Sequence, residues 1–382
     1  MTAQQDTAPK DLTTPEGCLA AVQKDGRVLW QVVERFKTQK ICLAAVQNSG
    51  MALEYVPRKQ RTAEICLAAV QTWGLALEHV PKELKTPALC LAAAQNNGLA
   101  LWHTPNALKT RELCQIAVHN KGIAIGLVPE EFKTPELYLA AVQNDGWTLQ
   151  FAPEELRTPE LCLAAVQNCG EALRFVPKML KTLELCLIAV QNDHDDGGGW
   201  AILYVPKTLK TAEFCLTAVQ SCGLALRFVP RKLRTPELCL AAVQQDGLAL
   251  EYVPNDLKTP ELCLAAVRQC GMALADVTEA FITPELCFLA VKKESLALMF
   301  VPNDLKTPEI CLTAVQQYGS ALEYVPEALK TPELCFDAVK NDPTAIKFVP
   351  QALKKEIVAA VKQAKAESST SGLSDFHGQK EE

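Results

Sequence analysis

Thr235-Pro-Glu-Leu-Cys-Leu-Ala-Ala-Val-Gln-Gln-Asp-Gly247, followed by Leu248-Ala-Leu-Glu-Tyr-Val-Pro-Asn-Asp-Leu-Lys258, decides the fold of this chain. The first half opens as a helix opens. Thr235 can cap free amides, Pro236 takes the first helical position where no N–H is missed, and Glu237 meets the positive end of the dipole. Gly247 closes the helix, and the usual reason for glycine there is a positive φ. On a helical wheel Leu238, Cys239, Leu240, Ala242 and Val243 cover more than half the circumference, so neighbours must sandwich the helix. The second half, Leu248 to Val253, is too short to stand alone, since isolated helices below ~12 residues are marginal in water. Pro254 ends it and can begin a further single turn, with Leu257 as a last apolar anchor. Alternation of Leu248, Leu250 and Tyr252 would also suit a strand, giving a leucine-rich-repeat-like α/β horseshoe. Alanine in the second position of this segment in twelve repeats, from Ala52 to Ala345, favours closely packed helices over strands.

The unit recurs along the chain. Threonines mark it at 14, 38, 62, 86, 110, 134, 158 and 182, then at 211, 235, 259, 283, 307 and 331. The step is 24 residues except between Thr182 and Thr211, where five extra residues sit in the segment 193–199. A fixed period of this length signals a solenoid. The expected architecture is therefore all-α, an elongated helical solenoid of fourteen 24-residue rungs with one long and one short helix each. Residues 1–13 are expected as a disordered leader, 14–353 as the solenoid, 354–365 as a capping helix and 366–382 as a disordered tail. The first rung departs from the pattern at Gly17, Gln31 and Val33, as an end rung should.

Hydrophobic residues make up 49% and charged ones 21%, enough apolar surface for a continuous core. A net charge of −6 lacks the basic excess that phosphate backbones select, which argues against nucleic acid as a partner. Neither an apolar leader segment nor a run of ~18 apolar residues is present, so no membrane association and a cytoplasmic location are expected, with export lacking a signal peptide left open. Sixteen cysteines in so long a chain fit reduced thiols better than a disulfide scaffold.

The stretch Leu240 to Pro254, with its Ala-Ala-Val run, helix-ending glycine and Ala-Leu-x-aromatic segment, resembles the tandem repeats known as domain of unknown function 4116. The likeness extends from about Thr14 to Leu353. It implies an α-helical repeat array, mainly bacterial, and brings no activity and no binding residues.

The most visible chemistry is a ladder of thirteen cysteines, from Cys18 to Cys335, interrupted only by Tyr138. Rungs ~8 to 10 Å apart exceed the ~7 Å Cα limit for a disulfide and do not suit direct chelation, so small buried hydrophobes are expected. A basic ladder, including Lys37, Arg61, Lys85 and Arg234, precedes a glutamate ladder, including Glu64, Glu112, Glu237 and Glu333, by three residues. Mutual neutralisation is the simplest reading of that spacing. A glutamine column, including Gln47, Gln143 and Gln244, can form hydrogen bonds between rungs or stay solvated.

Identical positions can all serve packing, so recognition is sought where rungs differ. Three variable columns contain all five tryptophans: one just before the glycine with Trp73 and Tyr318, one just after it with Trp147 and Trp200, and a third with Trp30 and Trp102. These six aromatics are the candidate protein-binding surface. Asp193 to Gly199 faintly resembles a calcium loop but lacks the frame and terminal glutamate of an EF-hand, and an exposed bulge is expected. The five histidines, His79, His103, His119, His194 and His377, accompany no nucleophile motif, phosphate loop or ligand cluster. The reading is a non-enzymatic, monomeric scaffold without cofactor or metal that binds an unidentified protein. A cysteine-lined metal or thiol reservoir is the alternative.

Overall fold

The computed structural model describes residues 12–193 and 198–374. Contacts group the chain into two compact units, one ending at Asn192 and one beginning at Asp193. Each is a helical solenoid, and no strand occurs among the described residues. The α/β horseshoe is thereby set aside.

Rungs are numbered 1 to 14 by their threonines, and positions within a rung from 1 to 24, starting at the threonine. Rung 10 is representative: an α-helix at Pro236–Gln245, a six-residue 3₁₀ helix at Gly247–Tyr252 and a 3₁₀ turn at Asn255–Leu257. The short helix is thus 3₁₀ throughout the array. A six-residue segment started by glycine and stopped by proline satisfies more of its amides through i→i+3 bonds than through the longer α pattern. Every one of the fourteen threonines accepts a hydrogen bond from the backbone N–H three residues on, as in Thr235 Oγ1 with Leu238 at 3.3 Å. At the other end the N–H of Asp246 donates to the Ala242 carbonyl at 2.9 Å.

The core repeats with the sequence. In rung 10, Leu238, Cys239, Ala242, Val243, Ala249, Leu250 and Val253 are buried, and the corresponding positions are buried in rung after rung. All thirteen ladder cysteines have no exposed surface. Alanine after the glycine's neighbour lets adjacent 3₁₀ helices pack closely, and Leu250 fills the space beneath them.

The glycine that follows most of the α-helices has a different reason from the one expected. Among the described residues only Gly199 has a positive φ, at 62°. The rung glycines instead lie against the next rung: a Cβ on Gly74 would strike the carbonyl oxygen of Ala93, and one on Gly247 that of Ala266. Close approach between rungs excludes the side chain.

The first and last rungs depart from the pattern of the inner ones. Lys24 and Gln31 in rung 1 are exposed and stand where inner rungs carry their rung-facing polar and aromatic residues. In rung 14 the glycine is replaced by exposed Pro343, which donates no N–H and meets no further rung. The terminal helix, Lys354–Ser374, buries Ile357 and Val361, packs on the α-helix Pro332–Asn341 and runs past the boundary at 365 drawn from sequence. Within the insert, buried Asp193 accepts the N–H of Ala201 at 2.7 Å, so its carboxylate caps the 3₁₀ helix Ala201–Tyr204 across the extra residues. Residues 194–197, the expected leader up to 11 and the tail from 375 lie outside the described residues.

Candidate interaction surface

Positions 14 and 17 are three residues apart on a 3₁₀ helix and therefore share one side of it. That side continues into the following turn. In the C-terminal unit Arg231, Arg234, Glu251, Tyr252, Asn255 and Asp256 line one open cleft between rungs 9 and 10. In the N-terminal unit Asn106, Lys109, Gly126, Leu127, Glu130 and Glu131 line the equivalent cleft between rungs 4 and 5. Positions 17, 18, 21 and 22 thus form a single edge within each unit.

The predicted aromatics fall into three groups. Trp30 and Trp102, both at position 17, are 61% and 72% exposed and stand out from the edge of the N-terminal unit. Trp147 and Trp200, at position 14, are half-buried because each folds onto the position-18 ring of the next rung. Trp147 meets Phe175 edge-on at 5.4 Å, and Trp200 meets Phe228 at 5.3 Å. Arg227 lies over both Trp200 and Phe228, at 4.3 and 4.6 Å. Trp73 and Tyr318 are C-cap residues at the joint between the two helices of a rung, Trp73 half-buried and Tyr318 47% exposed. The structure therefore gathers positions 14 and 17 on one side and leaves the cap pair at the joint.

The basic ladder does not pair with the glutamate ladder. Nine of its side chains reach into the next rung and donate to the carbonyl at position 18, where the 3₁₀ helix ends. Lys85 Nζ reaches the His103 carbonyl at 2.8 Å, Lys258 that of Asp276 at 2.7 Å and Lys306 that of Tyr324 at 2.9 Å. Arginine does more: Arg234 holds the carbonyls of Val229, Tyr252 and Arg227 at 2.9, 2.6 and 3.2 Å. Burial depresses the Lys85, Lys210, Lys306, Arg61 and Arg234 pKa values, as expected of cations drawn into a seam. Four of the glutamates turn to their own helix starts. Their own N–H and then the cap threonine hydroxyl hold Glu136, Glu237, Glu285 and Glu333 below the usual carboxylate range. The ion pairs that Lys37, Lys133 and Lys330 do make are with Glu34, Glu130 and Glu327 of their own turns.

A second clasp was invisible in the sequence. Position 11, beside the exposed glutamines, holds asparagine in several rungs of the N-terminal unit. Asn96 accepts the Gly74 N–H at 2.6 Å and donates to the Gln71 carbonyl at 2.8 Å, both in the preceding rung. Asn48, Asn120, Asn144 and Asn168 do the same for Gly26, Gly98, Gly122 and Gly146. The ladder between rungs is therefore asparagine to backbone, with the glutamine side chains of position 10 left at the surface.

Burial pushes the thiols of Cys42, Cys66, Cys162, Cys186, Cys239 and Cys287 up to about 11, which keeps them protonated and poorly nucleophilic near neutrality. Among the described residues no three histidine, cysteine, aspartate or glutamate side chains converge as a metal site requires, so the reservoir reading gains no support. His79 and His103 occupy position 18 and are half-buried. No helix among the described residues is long and apolar enough to cross a membrane.

Comparison with known families matches this geometry. The model of the family described as domain of unknown function DUF4116 matches residues 62–109, 134–181, 182–234, 235–282 and 283–330. The chain belongs to the DUF4116 family. Each match spans two rungs, so the family's unit is a pair of these rungs, and the match at 182–234 is longer because it contains the insert. A comparison with curated proteins finds no match.

Proposed function

We propose that this DUF4116 protein is a non-enzymatic scaffold that binds another protein through the variable edge of its 3₁₀ helices. The observation that supports this most is the exposure of Trp30 and Trp102 on that edge. Large aromatic rings left in water are typical anchors of protein interfaces, and a rigid repeat holds them without ordering cost at binding. The basic ladder and the clasping asparagines are already engaged in holding rungs together, which leaves the edge as a place where one rung differs from the next.

The test is capture of proteins from the native source by the full chain and by Trp30→Ala/Trp102→Ala. Helical content is checked by circular dichroism. The expected result is loss of at least one specific partner by a fully folded variant. The same set of partners retained at the same level would overturn the reading.

A further inference from the structure

We propose that the C-terminal unit pairs edge to edge with a second copy of itself, antiparallel, about a twofold axis at the junction of rungs 9 and 10. The proposal deepens the reading of the variable edge as an interaction surface by naming one partner for it.

The argument begins with charge. The basic ladder at position 24 and the glutamates at position 3 contribute opposite charges in nearly every rung, so they set no pattern along the unit. The pattern comes from the edge. Rungs 8 and 9 carry exposed Lys207, Arg231 and Lys232 together with half-buried Arg227, and no acidic residue at these edge positions. Rungs 10 and 11 reverse the sign with Glu251, Asp256, Asp276 and Glu279. Across these four rungs the sign changes at the open cleft between rungs 9 and 10, and the edge turns basic again only at Lys347 in rung 14.

An edge that is basic on one side of a point and acidic on the other is complementary to itself when turned by a half-rotation about that point. This is the requirement of an isologous interface. Rung 9 then faces the copy's rung 10, and rung 8 faces rung 11. Arg231 and Lys232 come opposite Glu251 and Asp256, and Lys207 opposite Glu279. Within one chain these charges are poorly matched: Arg231 meets Asp256 only at 3.4 Å, with both side chains more than 70% exposed. Most of their charge therefore remains available to a partner.

The edge also supplies a rigid apolar element beside the axis. Trp200, Arg227 and Phe228 form a stacked layer, and the Tyr252 ring lies 5.8 Å from the same guanidinium. Arginine and aromatic residues in one patch are the composition of interface centres. Four rungs at ~10 Å each give an edge of ~40 Å, so a strip ~20 Å wide reaches the ~800 Å² per partner of a standard interface. Acidic Asp304, Glu323 and Glu327 fall outside this four-rung overlap and remain in solvent.

Sedimentation of the full chain at 50 and 500 mM salt tests the proposal. A dimer is expected at low salt, with its dissociation constant raised about tenfold or more at high salt through screening. Arg231→Glu/Lys232→Glu and Glu251→Lys/Asp256→Lys should each be monomeric and folded by circular dichroism. Mixed in equal amounts, the two should form a heterodimer, because every reversed charge then meets a complementary one. A monomer under all conditions, a dimer that survives either double reversal, or no association on mixing overturns the proposal. None of these outcomes depends on Trp30 or Trp102, so they are separate from the fate of foreign partners.

Discussion

The two units are built from the same rung, yet they close the gap between rungs differently. In the N-terminal unit asparagine clasps the preceding glycine in five places, with an amide oxygen on the glycine N–H and an amide nitrogen on a carbonyl. In the C-terminal unit position 11 carries Ser221, Gln245, Gln269, Lys293 and Gln317 before asparagine returns at 341. Glutamine is one methylene longer, and its amide is set differently against the preceding rung. Gln269 donates to the Gln245 carbonyl at 3.5 Å, while Gln317 donates to the Lys292 carbonyl at 3.0 Å and accepts from the Ser295 hydroxyl, not a backbone N–H, at 2.9 Å. The core columns are the same in both units, so the difference lies in a polar seam at the rim. Identical cores can thus support units of unequal local stability, because that stability sums each rung's own terms with those of its neighbours.

The largest effect that would sharpen this comparison is alkaline. Ladder thiols at about 11 lie above the ~8.5 of an unfolded cysteine. Above pH ~8.5 the unfolded chain releases protons that the folded chain retains, so stability falls with rising pH, by up to ~1.4 kcal/mol per pH unit for each thiol, until the folded pKa is passed. Urea unfolding followed from pH 8 to 11 should show a steep decline. Cys66→Ala/Cys162→Ala should make it shallower in the N-terminal unit while lowering stability at pH 7. A pH-independent midpoint would contradict the buried-thiol account.

Next in size is the glycine contact. Gly98→Ala places a methyl against the Ala117 carbonyl and should destabilise by ~2 to 4 kcal/mol, since backbone cannot yield as a side chain can. Ser295→Gly, at the corresponding place in the C-terminal unit, loses the bond to Gln317 and should cost only ~1 kcal/mol. Equal costs would show that the two units are spaced alike.

Removing the clasp is smaller. Asn120→Ala leaves the Gly98 amide without its acceptor and should cost ~1 to 3 kcal/mol, whereas Gln269→Ala should stay within ~0.5 kcal/mol. The reciprocal graft, Gln245→Asn, should gain ~0.5 to 1.5 kcal/mol if it reaches Gly223. Denaturant midpoints of the three variants check the set.

Much of the fold could be read because it rests on local chemistry repeated at a fixed period. Thr235 caps, Pro236 starts and Cys239 is buried in the structure as the residues suggest, and the apolar positions fix which faces stack. What stayed hidden depends on contacts between rungs. Gly247 looks the same in sequence whether it serves a positive φ or a close approach. Lys258 appears to belong with Glu261 because both are side chains three apart, while its real partner is the Asp276 carbonyl eighteen residues on. Asn96 gave no signal, since the column it heads changes to threonine, serine, glutamine and lysine elsewhere. Of the candidate surface, the sequence located the tryptophan columns. It could not separate exposed Trp30 and Trp102 from Trp147 and Trp200, because the covering rings belong to the following rung.

Amide hydrogen exchange resolved at the rung glycines tests the central claim, that one clasp distinguishes otherwise equivalent rungs. The amides of Gly74, Gly98, Gly122 and Gly146 should exchange slowly, and those of Gly223, Gly247 and Gly271, which have no asparagine in the following rung, should exchange at least about tenfold faster, as expected of a lost ~1.4 kcal/mol. Equal protection in both sets would contradict the account.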